Sequence, residues 1–145
     1  MALTYESIST QTLGSAQASV TFSSIPATYT DLVLVYDAGN SGNVYDGTFV
    51  RFNGDTGSNY SWTYLLGNGG STISGRESSV TRAGAGASGA SRGMSILNIM
   101  NYSNTTIYKT ILNRRSVIDA SGYTVGAEVG SWRSTATIST VLLFV

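Results

Sequence analysis

The sequence predicts an all-β domain, an antiparallel β-sandwich of jelly-roll type with one long Gly/Ser/Ala-rich loop. Three observations lead there. Short runs rich in β-branched and aromatic residues recur along the whole chain. Clusters of Gly, Asn and Ser separate them and supply turn chemistry. No stretch keeps helical apolar spacing behind a capping residue for more than two turns. Together they give about eight or nine strands in a single domain over 1–145.

Taken in order, residues 1–12 read as an N-terminal arm that lies as a strand against a neighbour. In AQASVTFSSI (Ala16 to Ile25), Val20 and Phe22 alternate with Thr21 and Ser23, and Pro26 ends the run because it has no N–H for a ladder. DLVLVYD (Asp31 to Asp37) is apolar on both faces, the pattern of a central strand or of one at a subunit contact. In GTFVRFN, Phe49 and Arg51 oppose Val50 and Phe52. Asn53-Gly54 then offers the positive φ of a primed turn.

YSWTYLL (Tyr60 to Leu66) reads as a strand rather than a short helix, since Thr63 and its rings leave no clean helical stripe. MSILNIMNY (Met94 to Tyr102), TIYKTIL (Thr106 to Leu112), YTVGAEV (Tyr123 to Val129) and TATISTVLLFV (Thr135 to Val145) complete the set. In the last, Ile138, Thr140, Leu142 and Phe144 are expected to share a face. Residues 67–93 break the pattern. They read as a long flexible loop or insertion, with a short strand around Ser79 to Thr81 as one alternative. Its arginines Arg76, Arg82 and Arg92 are candidate contacts to the acidic surface of a partner, against the plainer reading of a solvated loop.

Composition narrows the function. The chain has 8 basic and 8 acidic side chains and only 11% charged residues, so it lacks the basic face of a nucleic-acid binder. With 41% apolar residues, nine Tyr and two Trp it is no disordered segment. Its apolar runs are too short to span a membrane, and MALTYESIS has no basic segment leading into an apolar core, so no secretory signal is expected. A surface of hydroxyls and amides repels itself weakly and suits burial in a symmetric assembly.

Catalysis is not expected. Histidine and cysteine are absent, which removes the usual general base, thiol nucleophile and catalytic-zinc ligands. Glycosidase chemistry needs a pair of carboxylates, which Asp31, Asp37, Asp46, Asp55, Glu77, Asp119 and Glu128 could supply, but no spacing singles out a pair. Asp46, Asn53, Asp55 and Asn59 could offer oxygens to calcium, yet their spacing fits no calcium loop, and Asn-Gly-Asp-x-Gly is foremost a turn. The run Gly84 to Ala90 lacks a P-loop lysine and reads as linker. No cofactor or metal is expected.

Aromatics carry the binding alternative. Tyr60, Trp62 and Tyr64 alternate onto one sheet face, while Trp132 falls in a Gly-Ser-Trp-Arg-Ser turn. With Asn53 and Asp55 they are candidate glycan or interface contacts; Trp62 is expected to be buried and Trp132 to be exposed.

Ser24-Ile25-Pro26, Tyr29-Thr30-Asp31-Leu32 and Arg51-Phe52-Asn53-Gly54-Asp55, returning at Gly130-Ser131-Trp132 and Ala136-Thr137-Ile138, resemble a widespread family of small tailed-phage virion proteins. The matching segments cover about half the chain, and residues 67–93 have a composition of their own. The resemblance implies a β-sandwich virion component of the head or tail and carries no catalytic residue.

Two roles then compete. A capsid decoration (cement) protein would bind the major capsid protein and itself, as a trimer, on the capsid surface. A tail-fibre or spike tip would instead bind cell-surface glycan. A soluble lectin is a third reading, which leaves the resemblance unexplained.

Overall fold

The structure, a computed structural model, describes residues 5–39, 47–86, 92–119 and 122–145. Asp46 and part of the run Gly84 to Ala90 therefore lie outside the described residues, as does the side chain of Asp119. Ten strands form among them: β1 (Ser19–Phe22), β2 (Leu32–Ala38), β3 (Thr48–Phe52), β4 (Tyr60–Gly67), β5 (Thr72–Val80), β6 (Ala83–Gly86), β7 (Gly93–Met100), β8 (Lys109–Asp119), β9 (Gly122–Trp132) and β10 (Val141–Phe144). They make two antiparallel sheets, one in the order β1-β10-β3-β6 and one in the order β2-β7-β8-β9-β4-β5.

One core joins them. Val50 and Phe52 of β3, Val141 and Leu143 of β10 and Ala83 and Ala85 of β6 meet Leu97, Ile99, Ile111, Tyr60 and Trp132 of the larger sheet. The alternation of β3 falls as the sequence predicts, with Val50 and Phe52 buried between half-buried Phe49 and Arg51. Asn53 (φ 52°) and Gly54 (φ 70°) turn the chain after β3, closed by the Asp55 N–H on Phe52 O at 2.9 Å. Ser61 to Leu66 lies within strand β4, with no helix there.

Three expectations are corrected. The Asp31 to Asp37 run is not a central strand: β2 pairs only with β7 and forms one edge of the larger sheet. The loop expected over 67–93 is largely strand, β5 pairing with β4 and β6 with β3. Composition misled here because small residues in β6 answer to close packing. A Cβ on Gly84 would lie 2.7 Å from Glu128 Oε2 and 2.8 Å from Trp62 Cε3, so only glycine fits beneath those side chains. Finally, β10 covers only Val141–Phe144. Ile138 is buried in the core, whereas Leu142 and Phe144 sit half-buried on the opposite side from Val141 and Leu143.

The irregular run before β10 is held by a side chain. Asn53 Oδ1 accepts the N–H groups of Ser139 (2.9 Å) and Thr140 (3.1 Å), and its Nδ2 donates to Thr137 O at 2.7 Å. One amide thus supplies the pairing that a continued strand would have given.

Candidate interaction surfaces

The candidate contacts around the Asn53 turn are committed to the fold. Trp132 is not a displayed turn residue; it ends β9 and is 2% exposed. Its ring stacks on Tyr60 with centroids 6.2 Å apart and tilts against Phe52 at 5.5 Å. Its indole Nε1 donates to Asp55 Oδ2 at 2.6 Å. Asp55 also accepts from the Gly57 N–H at 2.8 Å and from Asn59 Nδ2 at 2.9 Å. Burial pushes the Asp55 pKa up, but the bonds from Trp132, Asn59 and Gly57 outweigh it and hold the carboxyl below its ordinary value.

Tyr60 is fully buried, and its hydroxyl accepts the Phe52 N–H at 3.0 Å. Burial raises its pKa to about 12 against that hydrogen bond. Asn53, Asp55, Tyr60 and Trp132 therefore form one structural knot rather than a sugar-binding floor. Trp62 and Tyr64 do share the inner face with Tyr60. They are half-buried, with ring centroids 5.2 Å apart, and Trp62 packs over Gly84. The Trp62 indole N–H is buried without a partner.

Arg76, Arg82 and Arg92 do not converge. Arg76 is exposed on β5 opposite Thr63. Arg82 places its guanidinium 4.0 Å from the Phe49 ring centroid on the smaller sheet. Arg92 precedes β7 and pairs with Asp37 at 3.2 Å, both side chains exposed.

Between the sheets sits a polar cluster around Glu128, which spacing in the sequence does not single out. Glu128 and Asn113 are buried on adjacent strands, Asn113 Nδ2 donates to Glu128 Oε2 at 3.4 Å, and Arg115 Nε lies 3.2 Å from Glu128 Oε1. Burial raises the Glu128 pKa, opposed by Arg115 and Asn113. Arg115 and the Tyr36 hydroxyl donate to Gly86 O and Ala85 O, pinning the edge of β6 that has no neighbouring strand. This cluster is the clamp that holds β6.

A second buried cation lies at the end of β8. Lys109 is fully buried, and its Nζ donates to Ile107 O at 3.1 Å, to Thr135 O at 3.3 Å and to Asn104 O. Burial pulls its pKa below the ordinary lysine value. Among the described residues no group of three or more acidic, histidine or cysteine side chains could hold a metal ion.

The outer face of the larger sheet is the surface that stands out. Successive residues of a strand face opposite sides, and the partners of buried Glu128 and Gly130 are outward Val125, Ala127 and Val129. Across the ladders, Val129 lies between Leu112 and Thr63, and Ala127 between Arg114 and Leu65. Exposure runs from 48% at Met94 to 73% at Tyr123, with Val125, Leu65 and Ile118 between. Arg114 and Arg76 are the cations in this field, and no carboxylate is paired with either among the described residues. The alternation of Val125, Ala127 and Val129 is the sequence signal that marks this face.

No family model, no curated protein and no solved structure matches the chain.

Proposed function

We propose that the chain is a structural protein of a tailed-phage virion, a jelly-roll-like sandwich that decorates the capsid surface and cements the shell by binding between capsomers as a homo-oligomer, a trimer. The sequence resemblance motivates the virion, and the outer face of the six-stranded sheet carries the choice of an adhesive role. Large apolar side chains exposed together on one face mark a protein contact, and here they alternate with Thr63, Arg114 and Ser116. Six strands about 4.8 Å wide each, with about four outward rows about 6.8 Å apart, make a face of roughly 780 Å², its polar positions included. A stable interface buries about 800 Å² per partner, so the face is of the right order. Arg114 and Arg76, without a paired carboxylate among the described residues, favour a partner surface that brings carboxylates to this mixed apolar and hydroxyl face.

The tail-tip reading has less support, because Asn53, Asp55, Tyr60 and Trp132 are engaged within the fold. Quantitative mass spectrometry of purified virions tests the choice. Hundreds of copies relative to the major shell protein are expected, and Leu65→Glu should lower that occupancy at least tenfold while the purified variant stays folded. A few copies to a few dozen would move the protein to the tail or a vertex. None would end the virion reading.

A further inference from the structure

Residues 5–18 run beside the sheets without joining them. Among the described residues, no backbone hydrogen bond ties residues 5–17 to either sheet. The arm is held at its two ends only. Ala18 O accepts the Val145 N–H at 3.2 Å, and Tyr29 Oη donates to Glu6 Oε2 at 2.5 Å on an exposed surface. Between these ties Ile8 and Leu13 stand out in solvent, as does Tyr5 just before the first.

Between the arm and the sheets lies a groove of about 1620 Å³, with residues 5–13 and 15–18 forming one of its walls. It runs along β2, whose outer edge has no strand beside it among the described residues, and its apolar lining includes Phe22, Leu32, Leu34 and Leu143. Small-molecule pockets hold about 300–1,000 Å³, so this groove is the size for a chain segment. An edge of seven residues (LVLVYDA), without proline or lysine, is an open template for another strand.

We infer that the arm is an exchangeable strand: residues 5–13 of one copy pair with the β2 edge of a second copy and fill its groove, reciprocally. Strand and edge are each incomplete alone, and each supplies what the other lacks. The arm is nearly uncharged, with Glu6 its one ionic group, and its Ile, Leu, Tyr and Thr suit a ladder over an apolar floor. Nine residues extend about 30 Å and seven about 23 Å, so the arm covers β2 with length to spare. The own-chain arm, tied at both ends, walls the groove but makes no ladder with β2. Release needs only the exposed Tyr29–Glu6 bond, which the exchanged arm remakes between chains. Gly14, with nothing within 4 Å of its Cβ position, is a free hinge.

The inference rests on the self-association in the reading above, and its test is independent of the capsid. The chain has no cysteine, so thiols can be placed one at a time. Chains carrying Ser7→Cys, Ser9→Cys or Gln11→Cys are mixed with differently tagged Val35→Cys chains and oxidised. Exchange gives a covalent heterodimer for at least one arm position, and deleting residues 5–13 weakens self-association at least tenfold by sedimentation, with the circular dichroism spectrum retained. A disulfide that forms only within one chain, in doubly substituted protein at high dilution, would overturn it. So would the absence of any heterodimer, or association unchanged by the deletion. A protein missing from virions that still gives the heterodimer would remove the capsid reading and leave the exchange standing.

Discussion

Replacing Lys109 by Met tests whether the buried ammonium is a structural tie. The side chain is fully buried, and Nζ donates to the carbonyls of Asn104, Ile107 and Thr135, joining the turn before β8 to the run before β10. Methionine keeps the length and apolar stem, so little cavity forms and the loss falls on the carbonyls. Hydrogen bonds to charged groups contribute about 1.5–3 kcal/mol each. Two of these are long, at 3.1 and 3.3 Å, and burial of the charge opposes them. About 1 kcal/mol for each carbonyl gives about 3 kcal/mol in all. In urea, with a slope of about 2 kcal/mol per molar, the midpoint should fall by about 1.5 M at unchanged slope. Arg114→Met, on the exposed face of the same strand, is the control and should shift it by less than about 0.3 M. A Lys109→Met midpoint within 0.5 M of the parent (on the order of 1 kcal/mol by the same slope) would show that the carbonyls find water and that the tie contributes little.

Three further outcomes follow from the same geometry. Tyr60 holds its proton to about pH 12 in the folded chain against 10.0 for an ordinary tyrosine. Its contribution is therefore complete below pH 10 and is lost as pH rises to 12, about 2–3 kcal/mol at 1.36 kcal/mol per pKa unit; Tyr60→Phe should flatten the alkaline limb of stability against pH, read by denaturant titration at each pH. Asn53→Ala removes the three bonds to residues 137–140 and places alanine at φ 52°, so about 2–3 kcal/mol is expected, with faster amide exchange at Ser139 and Thr140 than elsewhere in the core. Gly84→Ala sets a Cβ 2.7 Å from Glu128 and should destabilise by about 1–3 kcal/mol, with a shift in Trp62 fluorescence; an unchanged midpoint would mean that β6 can move away from β9.

The strands were legible where local chemistry decides them. The alternation of β1 and β3 and the Asn53-Gly54 turn depend on neighbours in sequence, and each stands where expected. Positions decided by distant partners were not legible. Trp132 follows Gly-Ser and precedes Arg-Ser, a turn-like setting, yet the carboxyl that receives its N–H lies 77 residues away. The β6 residues Ala-Gly-Ala-Gly have linker composition because Trp62 and Glu128 exclude larger side chains, which no local window can reveal. β2 is apolar on both faces and still, among the described residues, an edge: Leu32 and Leu34 turn to the core while Val35 stands on the exposed face. Arg76, Arg82 and Arg92 share a composition-based label, but one lies in β5, one in the bend before β6 and one before β7.

The order β1-β10-β3-β6 also sets a schedule for folding during synthesis. β1 has β10 as its strand partner, with Ser19 opposite Phe144 and Phe22 opposite Val141. The first strand of the chain therefore waits for the last. At about 5–20 residues per second, the stretch between them takes on the order of 6–25 s to make. Throughout that interval Val20 and Phe22 have no ladder to join, while the β7-β8-β9 meander needs only its own neighbours and can pair first. The smaller sheet is thus a late addition, and a nascent chain caught in that interval presents an unpaired apolar strand to its neighbours. Crowded polysomes are where this protein is most exposed to mispairing with copies of itself.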